Sequence, residues 1–516
     1  MLIYQFLFFG LTALASVVYL VGQRRNNTVL TNRVMNLFAV YALAWVDFMV
    51  SLWFNHVNFP LNLEAMELTV LQHLQRIMAG QPVYVAPSPD FIPLAYAPLY
   101  YYFSVPFAWV FGASLFTMRL VAILGMLGVG VVIFLAVKKQ THSNWWALIA
   151  VGLFAAAYRV MDTYQDNAHS DSWLLFTVLL GAYLIGLNRS RTTDLLGVFF
   201  LILSFWFKQH GALFAIGGVL YLTWRDGLKN SWFHWAFAAL LGPGLYLVMP
   251  PVLGPQFHYY TFIVPSHWSE LNFEAVRRYL AFIVKNYFFL AGAGGLASAY
   301  FLVKDRKAVS IWYFMLPFAM LTGFMGALDP GSNNNVFIPM GTWFIITGIL
   351  GLHAALERYA PVNRWALHIF VVGSSFALFL FNPASVIVSP KAESAYQDLV
   401  LYLNTLDGPV YAPWVGQLQS GYQFSPSVHW VPMEDLVRGP GEFSRPDVQQ
   451  FLQQVTRPDG TAYILMNYPL ENDPLLSPLL AEYRLDADLG DRFSPLSTLP
   501  KRYNLEYPRY LYKYQP

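Results

Sequence analysis

Apolar residues in this 516-residue chain come in long runs rather than in short alternating or striped segments. A helix that crosses a bilayer needs about 20 mostly apolar residues, fewer where it is surrounded by others. Twelve stretches meet that need: 2–21, 35–53, 118–137, 144–160, 170–187, 193–207, 210–224, 232–250, 280–302, 311–327, 337–356 and 365–386. Ala13-Leu14-Ala15 imitates a signal-peptide cleavage site, but no basic residue precedes the first run and Arg24 and Arg25 follow it. A retained helix with its N-terminus outside is expected. Between the second and third spans lies a long loop, 54–117. In it Leu68, Leu71, Leu74 or Gln75, and Met78 recur at helical spacing, with Gly80 as the stop. Residues 94–112 are apolar enough for another span, yet their two prolines and four tyrosines suit the headgroup zone, so an interfacial helix is expected there.

Composition sharpens this pattern. Charged residues are 12% of the chain, about half the usual share of roughly 25%, and apolar residues are 56%. So few charges cannot cover a water-facing surface, which excludes a cytosolic enzyme. A net charge of +2 gives no reason to expect nucleic acid. The absence of cysteine excludes disulfides, thiolate metal sites and cysteine nucleophiles. Residues 1–388 hold 21 Lys and Arg against 14 Asp and Glu, net +7, whereas 389–516 hold 10 against 15, net −5. The second stretch has no run long enough to span. The expected architecture is an α-helical polytopic membrane body of about twelve transmembrane helices, 1–388, followed by a soluble α/β domain, 389–516.

Orientation follows from Lys and Arg in the short loops. One set of loops carries Arg24, Arg25, Arg33, Lys138, Lys139, Arg189, Arg191, Arg225, Lys229, Lys304, Arg306, Lys307, Arg358 and Arg364; the other holds essentially Arg76, Lys208, Arg277 and Arg278. The first set is therefore expected to be cytoplasmic. Loop 54–117 and the acidic C-terminal domain then lie outside an integral, multi-pass plasma (inner) membrane protein.

Four external clusters carry candidate chemistry. Glu64 and Glu67 stand three apart near a helix start, where they serve as helix-dipole partners or as a general base. Arg159, Asp162, Asp166, His169 and Asp171 crowd the mouth after the fourth span; they suit acid–base or metal work, or a solvated turn with a helix cap. Lys208-Gln209-His210 joins two short apolar runs, and a lysine there either snorkels to the interface or holds a lipid phosphate. Asn333, Asn334 and Asn335 offer donors and acceptors suited to sugar hydroxyls or to a tight turn. No nucleotide-binding glycine loop, zinc-protease helix or nucleophile-elbow serine is present.

In this order the clusters resemble those of polytopic GT-C type glycosyltransferases, the protein-mannosyltransferase and aminoarabinose-transferase class. The matching marks are Glu64 or Glu67, then Gly80, Pro82 and Tyr84, then Tyr96-Ala97-Pro98-Leu99-Tyr100-Tyr101, and then Gly112, Arg119 and Leu120. An external aspartate (Asp166 or Asp171), Lys208-Gln209 and the Asn-rich turn before a Pro-containing helix complete the set. The resemblance covers the membrane body. It implies transfer of a sugar from a polyprenyl-phosphate donor to an extracytoplasmic glycan, lipid or protein acceptor, with inversion. Glu64, Glu67 and Asp166 are the catalytic candidates under it. Arg76, Tyr84, Tyr96, Arg159, His169, Asp171, Lys208, Gln209 and the three asparagines are the binding candidates. No cofactor is required by these marks, and a divalent cation, magnesium or manganese, is left open by the carboxylates. The class usually offers an aspartate where this loop offers glutamates, so the rival class is a non-enzymatic membrane protein: a transporter, a structural subunit or a degenerate relative.

The tail predicts a helix over 392–405, strands near 408–413 and 427–432, a helix after Pro446-Asp447, a strand at 461–466, a helix near 474–483 and an edge strand at 507–512. No catalytic set is visible in it, and an acceptor-binding or lid role is expected.

Overall fold

The computed structural model of the protein describes residues 3–359, 365–415, 428–440, 450–454, 462–499 and 507–515. It is mostly helical. The first nine helices are α1 (Ile3–Arg24), α2 (Thr28–His56), α3 (Glu67–Met78), α4 (Leu99–Phe111), α5 (Leu115–Thr141), α6 (Asn144–Ala156), α7 (Asp171–Gly186), α8 (Arg191–Phe207) and α9 (Gly211–Asp226). Their starts are written in the sequence as side-chain caps. Asn27, Ser114, Ser143 and Ser190 each accept a backbone N–H of the first turn. Among the described residues five helices are long and apolar enough to cross a membrane: α1, α2, α5, Phe273–Lys304 and Asn334–Arg358.

Close packing holds the bundle. α7 and α8 touch through Gly181 and Gly197, where a methyl on either would lie 2.7–2.8 Å from the other's carbonyl oxygen. Two expected spans are interrupted. The chain from 228 runs as a helix to Ala239, widens at Leu240–Gly244 around Pro243, which has no N–H to donate, and resumes over Leu245–Val248. The chain from 273 widens similarly at Ile283–Tyr287. The last expected span, 365–386, is helical only over Leu367–Phe379, and the turn at Asn382-Pro383 follows.

Loop 54–117 folds as α3 and α4. α3 buries Leu68, Val70, Leu71 and Leu74, and Gly80 ends it at a positive φ of 69°. His73 pins the loop: its Nε2 accepts from the Leu94 N–H at 3.0 Å while Nδ1 donates to Thr69 O. α4 covers the interfacial segment, with Tyr100, Tyr101, Ser104 and Ala108 buried while Trp109 and Val110 are exposed.

Past the helices the chain forms a four-stranded sheet of β1 (Val410–Tyr411), β2 (Tyr463–Met466), β3 (Tyr483–Asp488) and β4 (Tyr510–Tyr514), in the order β1-β2-β4-β3. β1 runs parallel to β2; β4 is antiparallel to both neighbours. The sheet core is Val410, Tyr411, Ile464, Leu465, Met466 and Leu511. Three expectations are corrected here. The described residues of 427–432 form no strand: a helix, Trp430–Val437, begins there, started by the His429 ring accepting from Val431 N–H. The strand expected at 507–512 is β4, Tyr510–Tyr514, and it is central rather than an edge, because it pairs on both sides. The expected helix near 474–483 is a short tight turn, Ser477–Ala481, leading straight into β3. The segment expected to be helical after Pro446-Asp447 lies partly outside the described residues.

Candidate functional site

Three segments meet at one end of the helices: the chain leading into α3, the turn 157–170 between α6 and α7, and the Asn-rich turn before the helix Ile338–Arg358. Asp162 and Thr163 sit at positive φ (55° and 65°), a conformation non-glycine residues seldom hold without being tied down. The Asn-rich turn ties them. Asp162 accepts from Asn334 N–H at 2.9 Å, Asn333 donates to Tyr164 Oη at 2.9 Å, and Asn335 donates to Asp171 at 3.2 Å.

The two glutamates, equivalent by spacing, are separated by their partners. Glu67 is fully buried and fully engaged. Arg119 forks onto it at 2.9 and 2.5 Å, and Leu63 and Ala168 donate backbone N–H groups to its two oxygens. The other Arg119 donors hold the carbonyls of His56, Phe59 and Leu61. Glu64 instead lines a cavity and accepts from Met66 N–H and Tyr164 Oη, each at 3.0 Å. Burial, then the neighbouring Glu67 charge, push its carboxyl up to about 8.

That cavity, about 430 Å³, gathers residues from 64 to 438. Of the predicted residues it brings together Glu64, Tyr96, His169, Lys208, Gln209, Asn333 and Asn335. Lys208 closes the end of α8 and is not a lone interfacial cation, since its ammonium donates to both Asp171 oxygens at 2.8 and 3.0 Å and lies 5.5 Å from the Tyr96 ring. Asp171 stands behind it and also touches His169. Gln209 donates to the carbonyls of Ala95 and Thr261.

Other predicted residues lie off this wall. Asp166 is buried against His56 Nδ1 and Tyr158 Oη, both at 2.7 Å. Arg76 sits over Phe91 and holds Pro82 O, Tyr84 is buried with its hydroxyl on Tyr96 O, and Arg159 pairs with Asp162. Asn334 contributes its backbone only. Among the described residues no three histidine or acid side chains are grouped to hold a metal.

The sequence suggests a lid role for the tail but singles out no residue of the cavity's roof. Trp414, Trp430, Glu434, Asp435 and Arg438 reach over it from the C-terminal part. Arg438 pairs with Asp329 at 2.5 Å, Asn62 Nδ2 donates to Trp414 O, and Leu499 N–H donates to Leu63 O. Burial raises the carboxyls of Asp435 and Glu434. Tyr164 lies within the 159–171 cluster, and its contact with Glu64 is long-range; of the roof residues only Trp430 falls in a segment expected to be a strand.

Beside the cavity runs an apolar groove of about 550 Å³ between α8, α9 and the broken helix from 228, with Phe205, Ile216, Trp235 and Phe262 on its walls. Gln209 and Ala212 line both spaces.

The profile of the family described as dolichyl-phosphate-mannose-protein mannosyltransferase matches residues 95–253. The crystal structure of ArnT from Cupriavidus metallidurans in the apo state superposes with a TM-score of 0.52 at 13% identity, covering 91% of this chain and 97% of that one. The structure of the same protein bound to undecaprenyl phosphate gives 0.53 at 12% identity, with the same coverage. The fold is that of the GT-C glycosyltransferases. None of the curated protein sequences compared with the chain matches it. The family match spans Tyr96, Asp171 and Lys208-Gln209 of the GT-C pattern and begins after Glu64 and Glu67.

Proposed function

We propose that the protein is an inverting membrane glycosyltransferase that moves a sugar from a polyprenyl-phosphate donor to an extracytoplasmic acceptor. The observation that carries this reading is the placement of Glu64 and Lys208 on one cavity wall, where a polar chamber adjoins an apolar groove at Gln209. A lipid-linked sugar has the same two halves. Its isoprenoid fits the groove and its phosphate and sugar fit the chamber. The relative solved with undecaprenyl phosphate supports a lipid-phosphate partner.

The acceptor hydroxyl oxygen attacks the anomeric carbon and forms the new glycosidic bond. The bond from that carbon to the phosphate oxygen breaks, its electron pair stays with the lipid phosphate, and the hydroxyl proton passes to Glu64. A carboxyl poised near 8 is matched to such a proton transfer. An ammonium has three donors and Asp171 takes two, so the third is available to the departing phosphate. In a water-poor chamber such a contact is worth more than in water. Glu67 is a positioning residue that, through Arg119, fixes the loop bearing Glu64. Residues 1–388 form the membrane body with twelve spans, and 389–516 form an extracytoplasmic domain whose helix Trp430–Val437 acts as the roof. The protein resides in the plasma membrane.

The test is incubation of the purified protein with a panel of polyprenyl-phosphate sugars and cell-envelope acceptors. Release of free polyprenyl phosphate with glycosylated acceptor is the expected result. Binding of the carrier lipid without release from any member, and without change on Glu64→Gln, favours a transporter or a structural subunit.

A further inference from the structure

A second cavity, about 550 Å³, lies wholly in the C-terminal α/β part, and nothing in the transfer chemistry uses it. It shares Trp414 and Trp430 with the roof of the Glu64 chamber. Their rings stack at 4.4 Å and 23°, so the pair forms a wall between the two spaces. Buried Asp473 holds this wall rigid. It accepts from Trp430 Nε1 at 3.3 Å, from Tyr468 Oη at 2.6 Å and from the N–H groups of Leu475 and Leu476, while Trp414 Nε1 donates to Tyr468 Oη at 3.2 Å. The indole N–H groups are thereby spent inside the protein, and what the aromatic groups offer the cavity is flat apolar surface.

Polar groups stand at the other edge. Asn467 lines the cavity with a buried side-chain oxygen that has no hydrogen-bond partner. Asn472 is exposed at the rim, and Arg509, forked onto Asp488 at 2.8 and 3.0 Å, lies 5.0 Å from the Tyr510 ring. A rigid aromatic face, side-chain amides at its margin and a buried acceptor awaiting a donor are what a pyranose requires. Its C–H face packs on aromatic carbon and its hydroxyls both donate and accept. The volume is within the usual range for a small-molecule site.

We propose that this cavity binds a saccharide, the glycan portion of the acceptor, and holds it on the far side of the Trp414–Trp430 wall from the Glu64 chamber. Only the word acceptor rests on the glycosyltransferase reading; the saccharide site stands on its own residues. A neutral sugar is favoured, since the one guanidinium at the margin is neutralised by Asp488.

The experiment is saturation-transfer NMR on the full chain in detergent, with a panel of pyranose mono- and disaccharides at millimolar concentration. Saturable binding is expected, weakened about tenfold by Asn467→Leu and retained by Glu64→Gln. If Asn467→Leu fails to fold, the exposed Asn472→Ala carries the same expectation at smaller size. No saturable binding by any panel member, or binding unchanged in both asparagine variants, overturns the proposal. Because the readout needs no turnover, saccharide binding in a protein that transfers no sugar would uphold this site while removing the transfer reaction. Transfer without saccharide binding would do the reverse.

Discussion

Two glutamates three residues apart differ here in every physical respect that matters for chemistry. Glu64 has two neutral partners and an open side; Glu67 has a guanidinium, two backbone donors and none. Glu64→Gln keeps size and hydrogen bonding but removes basicity, so turnover should fall by roughly 10²-fold or more with carrier-lipid affinity nearly intact. In the wild type kcat/KM should rise with pH through about 8 as Glu64 loses its proton, and that limb should vanish in the glutamine variant. Stability runs the other way. Folding raises this carboxyl from its ordinary 4.5 to about 8, so the folded state holds the proton more tightly than the unfolded chain. The resulting stabilisation is complete below 4.5, declines as pH rises and is gone above about 8. Denaturant titrations of wild type and Glu64→Gln at pH 5 and 8 should converge or diverge accordingly. For Glu67→Gln the expected defect is folding itself. It leaves Arg119 buried and unpaired, at a cost of about 3–5 kcal/mol, read as a lowered unfolding midpoint.

At the scale of elements, the hairpin of α8 and α9 depends on its turn. The sequence places Lys208 there correctly but as an isolated charge; the ion pair with Asp171 is a long-range fact that no local pattern encodes. Lys208→Ala therefore strands a buried carboxylate, and a binding loss in that variant is mixed with a folding loss. Replacing both members, Lys208→Met with Asp171→Asn, removes the charge from each side at once. The paired variant should fold near normally yet bind a soluble short-chain polyprenyl phosphate at least tenfold more weakly; equal affinity would leave the lysine a purely structural role. The helices were legible because their signals are local: long apolar runs, a Ser or Asn at the start, basic residues beyond the end. The tail was less so. The run Val428-His429-Trp430-Val431 has the β-branched and aromatic look of a strand. The Pro432 ring tolerates a first helical turn, however, and Met433 and Leu436 then share one buried face. β4 looked like an edge because chain ends often are; its two partners lie distant in sequence, and periodicity carries no information about pairing.

Across the whole molecule, the chamber draws on segments nearly four hundred residues apart, from Glu64 to Arg438. The order of motifs predicted which segments contribute, but not which side chain of each faces inward. Asp166 and Asp171 illustrate this: one lies in the turn before α7 and the other opens that helix, both are buried, and one is turned toward His56 and the other toward Lys208. A lid role for the tail is expected from the sequence, but the residues that form the roof are not, because they depend on how the C-terminal part sits on loop 54–117. The proposed topology places that part outside and Lys138-Lys139 inside. Since the chain has no cysteine of its own, single cysteines can report sidedness directly. An impermeant thiol reagent applied to intact cells should label a cysteine at 450 and not one at 140; the opposite pattern would invert the assignment of every loop.

The bracket formed by Glu67 and Arg119 has a consequence for how such a chain can change over generations. Either residue exchanged alone leaves a naked charge in the interior, and the surviving arginine would still grip three carbonyls of the loop that presents Glu64. Passage from this pair to an uncharged one therefore runs through an unfit intermediate. The two positions are therefore expected to change together, tied across 52 residues of sequence by one buried ion pair.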